Sequence, residues 1–335
     1  MSLSTPLAYL HAIEVPTPFP VGPITVFLCD GLDEPLTLID TGPHTPEARA
    51  ALEAGLAHFG YSLANLERIV VTHAHADHFG MAAELVAESQ ARVLSHAWNL
   101  LALGHYDADR EQRTAFYADL LRQAAVPTEI MAAVGGATRG VRRFARPVEV
   151  DVSLVDGDTL HLAGRDWQVL HTPGHAAGLI CLYEPDSQTL LSSDHLLADI
   201  SSNPVVEPPP PGQTERPRSL ALYKASLERI AAIGIERALP SHGPVIYDVP
   251  GLVQQRLVFH ERRVARVLAA LRDGARTTWD VAYALFPDRS PLDTFLAVSE
   301  TIGHLDLLEM EGRISAEKAD GAIVWRLVPQ PVQQM

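Results

Sequence analysis

The run Thr72-His73-Ala74-His75-Ala76-Asp77-His78 sets three histidines and one aspartate directly behind the apolar stretch ERIVVT at 67–72. Neutral imidazole and carboxylate are the ligands that zinc and other borderline divalent ions prefer. A chain leaving a strand end can turn so that His73 and His75 face one point while Asp77 and His78 face another. That spacing suits two adjacent metal ions better than one. Ala74 and Ala76 are small and leave room for ions. A chance histidine-rich loop is a poor account of four such side chains at this spacing.

Four more segments frame the same chemistry. They are Leu38-Ile39-Asp40-Thr41-Gly42, His171-Thr172-Pro173-Gly174-His175, Ser192-Ser193-Asp194 and Pro240-Ser241-His242-Gly243-Pro244. Together with the T-H-A-H-A-D-H run, which resembles the signature H-x-H-x-D-H, they resemble in content and order the metallo-β-lactamase fold superfamily over about 200 residues. The resemblance implies an α/β chain folded as a four-layer αββα sandwich, with a metal centre at the mouth between two sheets. It further points to the lactamase-β-2-like, glyoxalase II-like branch.

Carried over residue by residue, the resemblance assigns His73, His75 and His175 to a first metal. Asp77, His78 and His242 fall to a second, and Asp194 bridges the two. The expected cofactors are two divalent ions, zinc first, with Mn2+ or Fe2+ as alternatives. Asp77 and Asp194 are the expected catalytic residues, Asp77 also orienting the attacking water. In His171-x-x-x-His175 the family pattern makes the second histidine the ligand, so His171 is expected to support or pack. Asp40 is expected to lie buried near the motif loop and orient a ligand. His195 is a candidate for the substrate pocket, and His44 is the most plausible site residue among the other histidines. Ser193 departs from the glycine common in the family before the bridging aspartate, a place where glycine allows close packing or an unusual backbone angle.

The elements that must position these residues read as alternating strands and helices. Strands are expected at 24–29, 36–40, 67–72 and 91–95, with helices at 46–58 and 79–89. Residues 97–146 break the alternation with helical stretches near 108–124 and 127–134 and a flexible GGATRG at 135–140. They read as a helical insertion. Strands resume at 148–155, 159–163, 166–171, 179–184 and 189–192, followed by a helix at 218–234 and a strand at 236–239. The proline-rich segment 204–217, with Pro208 to Pro211 consecutive, reads as a stiff connector. Pro250-Gly251 marks a boundary between a catalytic domain, 1–250, and a winged-helix-like domain, 251–335, made of helices at 252–272, 277–286 and 291–311 and a hairpin.

Composition narrows the function. The 335 residues are 47% hydrophobic and carry 26 basic against 41 acidic side chains, a net charge of −15. Such a balance opposes binding to nucleic acid or anionic membranes. Helix 291–311 carries Asp293, Glu300, Asp306, Glu309 and Glu311 with no basic residue, so a role as a DNA-recognition helix is disfavoured. Two cysteines cannot build a disulfide framework. No targeting segment or long apolar run is evident, so a cytoplasmic protein is expected. The insertion offers Trp98, Tyr106, Phe116, Tyr117 and Met131 as a lid for a small, partly apolar substrate, and Arg139, Arg142, Arg143 and Arg146 as its only basic cluster.

The resulting expectation is a dinuclear zinc hydrolase that uses a metal-bridging hydroxide on a small ester, thioester or lactone. A metal-dependent endoribonuclease or phosphodiesterase is the alternative, and a mononuclear-iron persulfide dioxygenase comes third. A small molecule is the expected partner, with a homodimer as an open option.

Overall fold

The computed structural model describes residues 7–210, 212–287 and 290–329. β1 (Leu10–Val15) pairs antiparallel with β2 (Ile24–Cys29). Every residue of β2 is buried, which explains why ITVFLC is apolar without alternation. β3 (Thr37–Ile39), β4 (Arg68–Val71), β5 (Arg92–His96) and β6 (Val152–Leu154) complete a six-stranded sheet in chain order. From β3 onward its neighbours run parallel.

Parallel neighbours need crossovers, and α1 (Pro46–His58), α2 (Ala76–Phe79) and α3 (Ala82–Ser89) supply those from β3 to β4 and from β4 to β5. The α1 boundaries match the expectation because its start signals are strong. Thr45 caps the Ala48 N–H, Pro46 sits in the first turn and Glu47 complements the helix dipole. Leu52 and Leu56 of α1 and Leu85 of α3 pack with Val26, Leu38, Ile69 and Val93 of the sheet.

The insertion between β5 and β6 holds α4 (Leu100–Gly104), α5 (Tyr106–Gln123) and α6 (Thr128–Val141). The expected flexible stretch 135–140 is helical instead, as part of α6. Each glycine costs about 1 kcal/mol relative to alanine in a helix. Packing of Ile130, Met131 and Val134 in an apolar cluster offsets that cost. The side chains of Tyr106, Arg139 and Arg142 lie outside the described residues.

β7 (Thr159–Leu162), β8 (Arg165–His171), β9 (Ile180–Glu184), β10 (Thr189–Ser193) and β11 (Arg237–Pro240) form the second sheet in the order β11-β10-β9-β8-β7. Phe27, Ile39 and Val70 of the first sheet meet Trp167, Val169 and Leu182 of the second in a shared core. On the outer face of the second sheet, Leu170, Cys181 and Leu190 pack with Tyr223, Leu227 and Ile230 of α7 (Ser219–Ala232). Helices therefore cover both faces of the paired sheets, giving the αββα sandwich expected.

α8 (Val249–Ala270) begins with Pro250 in its first turn and Asp248 capping the Gly251 N–H at 2.9 Å. Its early residues Leu252 and Val253 join the α7 core, whereas Val267 joins a second core with Leu305, Leu308 and Trp325. β12 (Arg276–Thr277), α9 (Thr278–Leu285), α10 (Pro291–Met310), β13 (Ile314–Ala319) and β14 (Ala322–Leu327) follow, the strands ordered β12-β14-β13.

α10 is a packing hub. Phe295, Val298 and Ile302 meet Leu121, Val126 and Val134 of the insertion region. Its carboxylates are largely engaged: Asp306 is 1% exposed and receives Arg216 at 2.6 and 2.7 Å as well as Arg218, while Glu300 pairs with Arg263 at 3.1 Å. Burial is therefore a stronger bar than like-charge repulsion to this helix entering a DNA groove. The proline-rich segment is anchored here too, the Val206 N–H donating to Ser299 Oγ at 2.7 Å.

Candidate metal centre

Loops at strand ends carry the clustered side chains. Asp40 follows β3, the 72–78 run follows β4, His175 follows β8, Asp194 follows β10 and His242 follows β11. Three local devices aim them. A register shift between Leu191 and Ser193 bulges β10, which redirects the chain before Asp194. Ser193 itself sits at φ +47°, the left-handed region where glycine is at home, which accounts for the family preference that this chain breaks. Gly174, at φ +146°, lets the His175 loop lie against the backbone of Tyr223, where a Cβ would approach Tyr223 Cα to 2.5 Å and its N to 2.8 Å.

Two adjoining groups of donor atoms result. His73 Nε2 and His175 Nε2 each lie 3.0 Å from His75 Nδ1. Beside them, His242 Nε2 lies 3.5 Å from Asp77 Oδ2, and His78 completes that second group. Asp194 stands between the two, Oδ2 being 3.4 Å from His175 Nε2 and Oδ1 3.5 Å from His78 Nε2. The structure thus brings all seven expected metal ligands together.

Residues behind this layer hold it. Asp40, 2% exposed, accepts from His78 Nδ1, the Thr72 N–H and Thr72 Oγ1, each at 2.8 Å. His242 Nδ1 donates to the Pro23 carbonyl at 2.8 Å and His175 Nδ1 to the Asn203 carbonyl at 3.1 Å. The Thr72 and Ser193 hydroxyls meet at 2.8 Å, linking the ends of β4 and β10. Sequence reading missed Thr72, Pro23 and Asn203. Backbone carbonyls carry no residue signature, although Thr72 stood at the head of the motif.

Electrostatics divides the site. Burial, and then neighbouring histidines, hold His73 well below the usual imidazole range, and the same causes push His175 down to about 4. Both stay neutral, the state in which imidazole binds metal. Burial opposes protonation of His78, but Asp194, Asp40 and Asp77 outweigh it and raise that histidine well above the ordinary value. Burial works against ionisation of Asp194 too, yet His78 prevails and holds the carboxyl far below the usual range. This half of the site favours positive charge. His78 Nε2, His242 Nε2 and Asp194 Oδ1 are buried and have no hydrogen-bond partner. Such orphaned donor atoms, converging as they do, fit bound divalent ions.

Of three histidines at the periphery, two point away from the cavity. His195 is fully buried with its ring 5.4 Å from Tyr223, and it does not line the cavity described below. Its place on the turn after the β10 bulge faces the core rather than the mouth. His44 points to Glu84 at 3.3 Å, drawn by that carboxylate away from the metal centre. His171 stacks on His96 at 3.9 Å and donates to the Ala177 carbonyl at 2.7 Å. It therefore braces the loop that carries His175.

A cavity of about 970 Å³ opens onto His75, Asp77, His175 and Asp194. Its walls come from α5, α6, the 200–207 segment and the start of α10. Arg113 is the only Lys or Arg among the described residues lining it, and it pairs with Glu207 at 3.1 Å.

An αββα sandwich whose strand-end loops gather histidines and carboxylates in this way defines a metal-dependent hydrolase. Residues 20–242 match the family model for the metallo-beta-lactamase superfamily, and the chain belongs to that superfamily. It is 35% identical over 309 residues to a probable metallo-hydrolase, YqjP, of Bacillus subtilis (strain 168), covering 91% of this chain and 93% of that one. A metallo-beta-lactamase family protein from Thermus thermophilus superposes with a TM-score of 0.80 at 28% identity, over 96% of this chain and 99% of the other. More distantly, an atrochrysone carboxyl ACP thioesterase of Aspergillus terreus is 23% identical over 71% of this chain and 55% of its own length.

Proposed function

We propose that this metallo-hydrolase is dinuclear, uses zinc, and cleaves an ester, thioester or lactone. The observation that carries the reading is the pair of donor groups sharing Asp194 at the head of a largely apolar cavity. His73, His75 and His175 would hold one ion, Asp77, His78 and His242 the other, with Asp194 common to both. Bound there, two divalent ions supply Lewis acidity and activate water at neutral pH.

The chain's own residues do the rest. Asp77 would orient the attacking water as well as bind metal, and Asp194 would set the spacing of the two donor groups. Asp40 holds His78 in the tautomer that leaves Nε2 free for metal. No thiol competes as nucleophile, since Cys181 is buried and pushed up to about 12, chiefly by that burial, and Cys29 is buried and raised as well. Among the described residues lining the cavity the single cation, Arg113, opposes a polyphosphate substrate. A distant relative named as an ACP thioesterase is compatible with thioester cleavage. We read 1–250 as the catalytic domain and the remaining segment as a support that closes the cavity.

Metal analysis and a substrate panel test the reading. Two zinc ions per chain, with turnover of p-nitrophenyl esters, acyl thioesters or lactones, are expected. A single iron per chain, or turnover confined to bis-p-nitrophenyl phosphate, overturns it.

A further inference from the structure

The volume and lining of the cavity carry information that the metal centre does not. At about 970 Å³ it stands near the top of the roughly 300–1,000 Å³ range of small-molecule sites. Its polar groups gather at the metal end. Besides the donor residues, Ser201 Oγ and Asn203 Oδ1 are buried there without hydrogen-bond partners, and the Asn203 carbonyl already takes His175 Nδ1. Away from that end the wall is apolar, built from Tyr117, Leu121, Met131, Val134, Phe295 and Leu296.

These residues come from two parts of the chain far apart in sequence, and they lock together. Tyr117 of the insertion meets Phe295 of α10 edge to face at 5.0 Å, inside the apolar cluster that joins α5, α6 and α10. Buried contacts on the side facing away from the cavity hold this wall in place, so the space is built into the fold. A substrate no larger than an acetyl ester would touch only the metal end and leave the apolar wall against water.

We infer that the substrate carries a bulky apolar acyl group, seated between α5, α6 and α10, so that the C-terminal segment sets acyl size. The inference rests on the hydrolase reading above and names the substrate class for the same site. Each buried methylene stabilises the bound state by about 0.8 kcal/mol, or about fourfold. kcat/KM therefore climbs steeply with chain length until the cavity is full. A fused-ring acyl group such as naphthoyl gains by the same burial.

The experiment compares straight-chain acyl thioesters from acetyl to dodecanoyl, plus 2-naphthoyl, with wild type, Ala118→Phe and Leu296→Trp. Ala118 lines the cavity on α5 and is exposed to it, so a larger side chain there fills space without disturbing a packed core. Expected is a rise of about fourfold per carbon through the middle of the series for wild type. Each variant then loses at least about tenfold more on the longest or ring substrates than it does on acetyl. Preference of the wild type for acetyl, or an equal loss at every length in both variants, overturns the inference.

Binding of 11-(dansylamino)undecanoate to the same proteins, read by fluorescence, separates the two readings. If no ester, thioester or lactone is turned over, the hydrolase reading fails. Wild-type binding that Ala118→Phe weakens still supports the apolar acyl site, and absence of binding sinks it.

Discussion

Asp40→Asn isolates the role of a buried carboxylate from its backbone. Asp40 stands at φ +58°, where most residues are strained but asparagine, like aspartate, is tolerated. Volume is preserved as well, so only the hydrogen-bond pattern changes. In the native site Oδ1 accepts the Thr72 N–H while Oδ2 accepts both Thr72 Oγ1 and His78 Nδ1. An amide facing Thr72 N would set donor against donor, so the substituted amide must face Oδ2's partners. Thr72 can turn its proton toward Ser193 and accept from the new amide, because their hydroxyls already lie 2.8 Å apart. His78 has no such escape. Its Nδ1 either loses its acceptor or gives up its proton to Nε2, the atom that should bind metal. A charge-assisted hydrogen bond is worth about 1.5–3 kcal/mol, so affinity at the second metal position should fall about ten- to a hundredfold. Competition against a chromophoric chelator measures this, with urea unfolding of the chelated protein as the control for the fold. Wild-type affinity in the variant would refute the claim that Asp40 governs the His78 tautomer.

Asp194→Ala is expected to abolish hydrolysis and release at least one ion, by activity and metal analysis; retention of full turnover with two ions would show that Asp194 does not bridge. Gly174→Ala should destabilise the protein by about 2–4 kcal/mol, through backbone strain and overlap with Tyr223, and should reduce metal content with it. Denaturant midpoints read the stability, and an unchanged midpoint contradicts the close approach. Burial, followed by neighbouring cations, holds His304 at about 4 and, with His304 nearby, His260 at about 3. Against an unfolded value of 6.5, both contribute stability that is present above that pH and lost as pH falls toward their folded values. The loss from His304 alone is about 2 kcal/mol at pH 5. His304→Gln should therefore flatten the acid limb of a stability-against-pH curve, and an acid limb as steep as wild type would count against the assignment.

Legibility varied with the range of the forces involved. Apart from β1, the strands of both sheets, α1 and the donor run at 72–78 were readable because each announces itself locally, through apolar runs, capping signals or ligand spacing, whereas His175, Asp194 and His242 were legible through the family resemblance. β1 was not read. Its six residues end at Val15, before the prolines at 16, 18 and 20. Glycines at 135, 136 and 140 suggested a loop, and contacts with a helix more than 150 residues away in sequence made it helical. The carboxylates of α10 carry no sign in the sequence of their partners, since Asp306 and Glu300 meet arginines from distant segments. The same distance hid the cavity, whose walls converge only once the insertion and the C-terminal helices have packed.

The Thr72–Ser193 contact and the bonds from Asp40, Pro23 and Asn203 are all made between protein atoms. These contacts fasten the ligand loops without an ion taking part, so the loops are expected to hold their places whether or not metal is bound. On that expectation loading is an exchange between a finished vessel and its surroundings, decided by the ions available to the mature protein. Chelation should then leave the far-UV circular dichroism and a single cooperative melt intact, and an apoprotein that loses either would show that the fastening is insufficient.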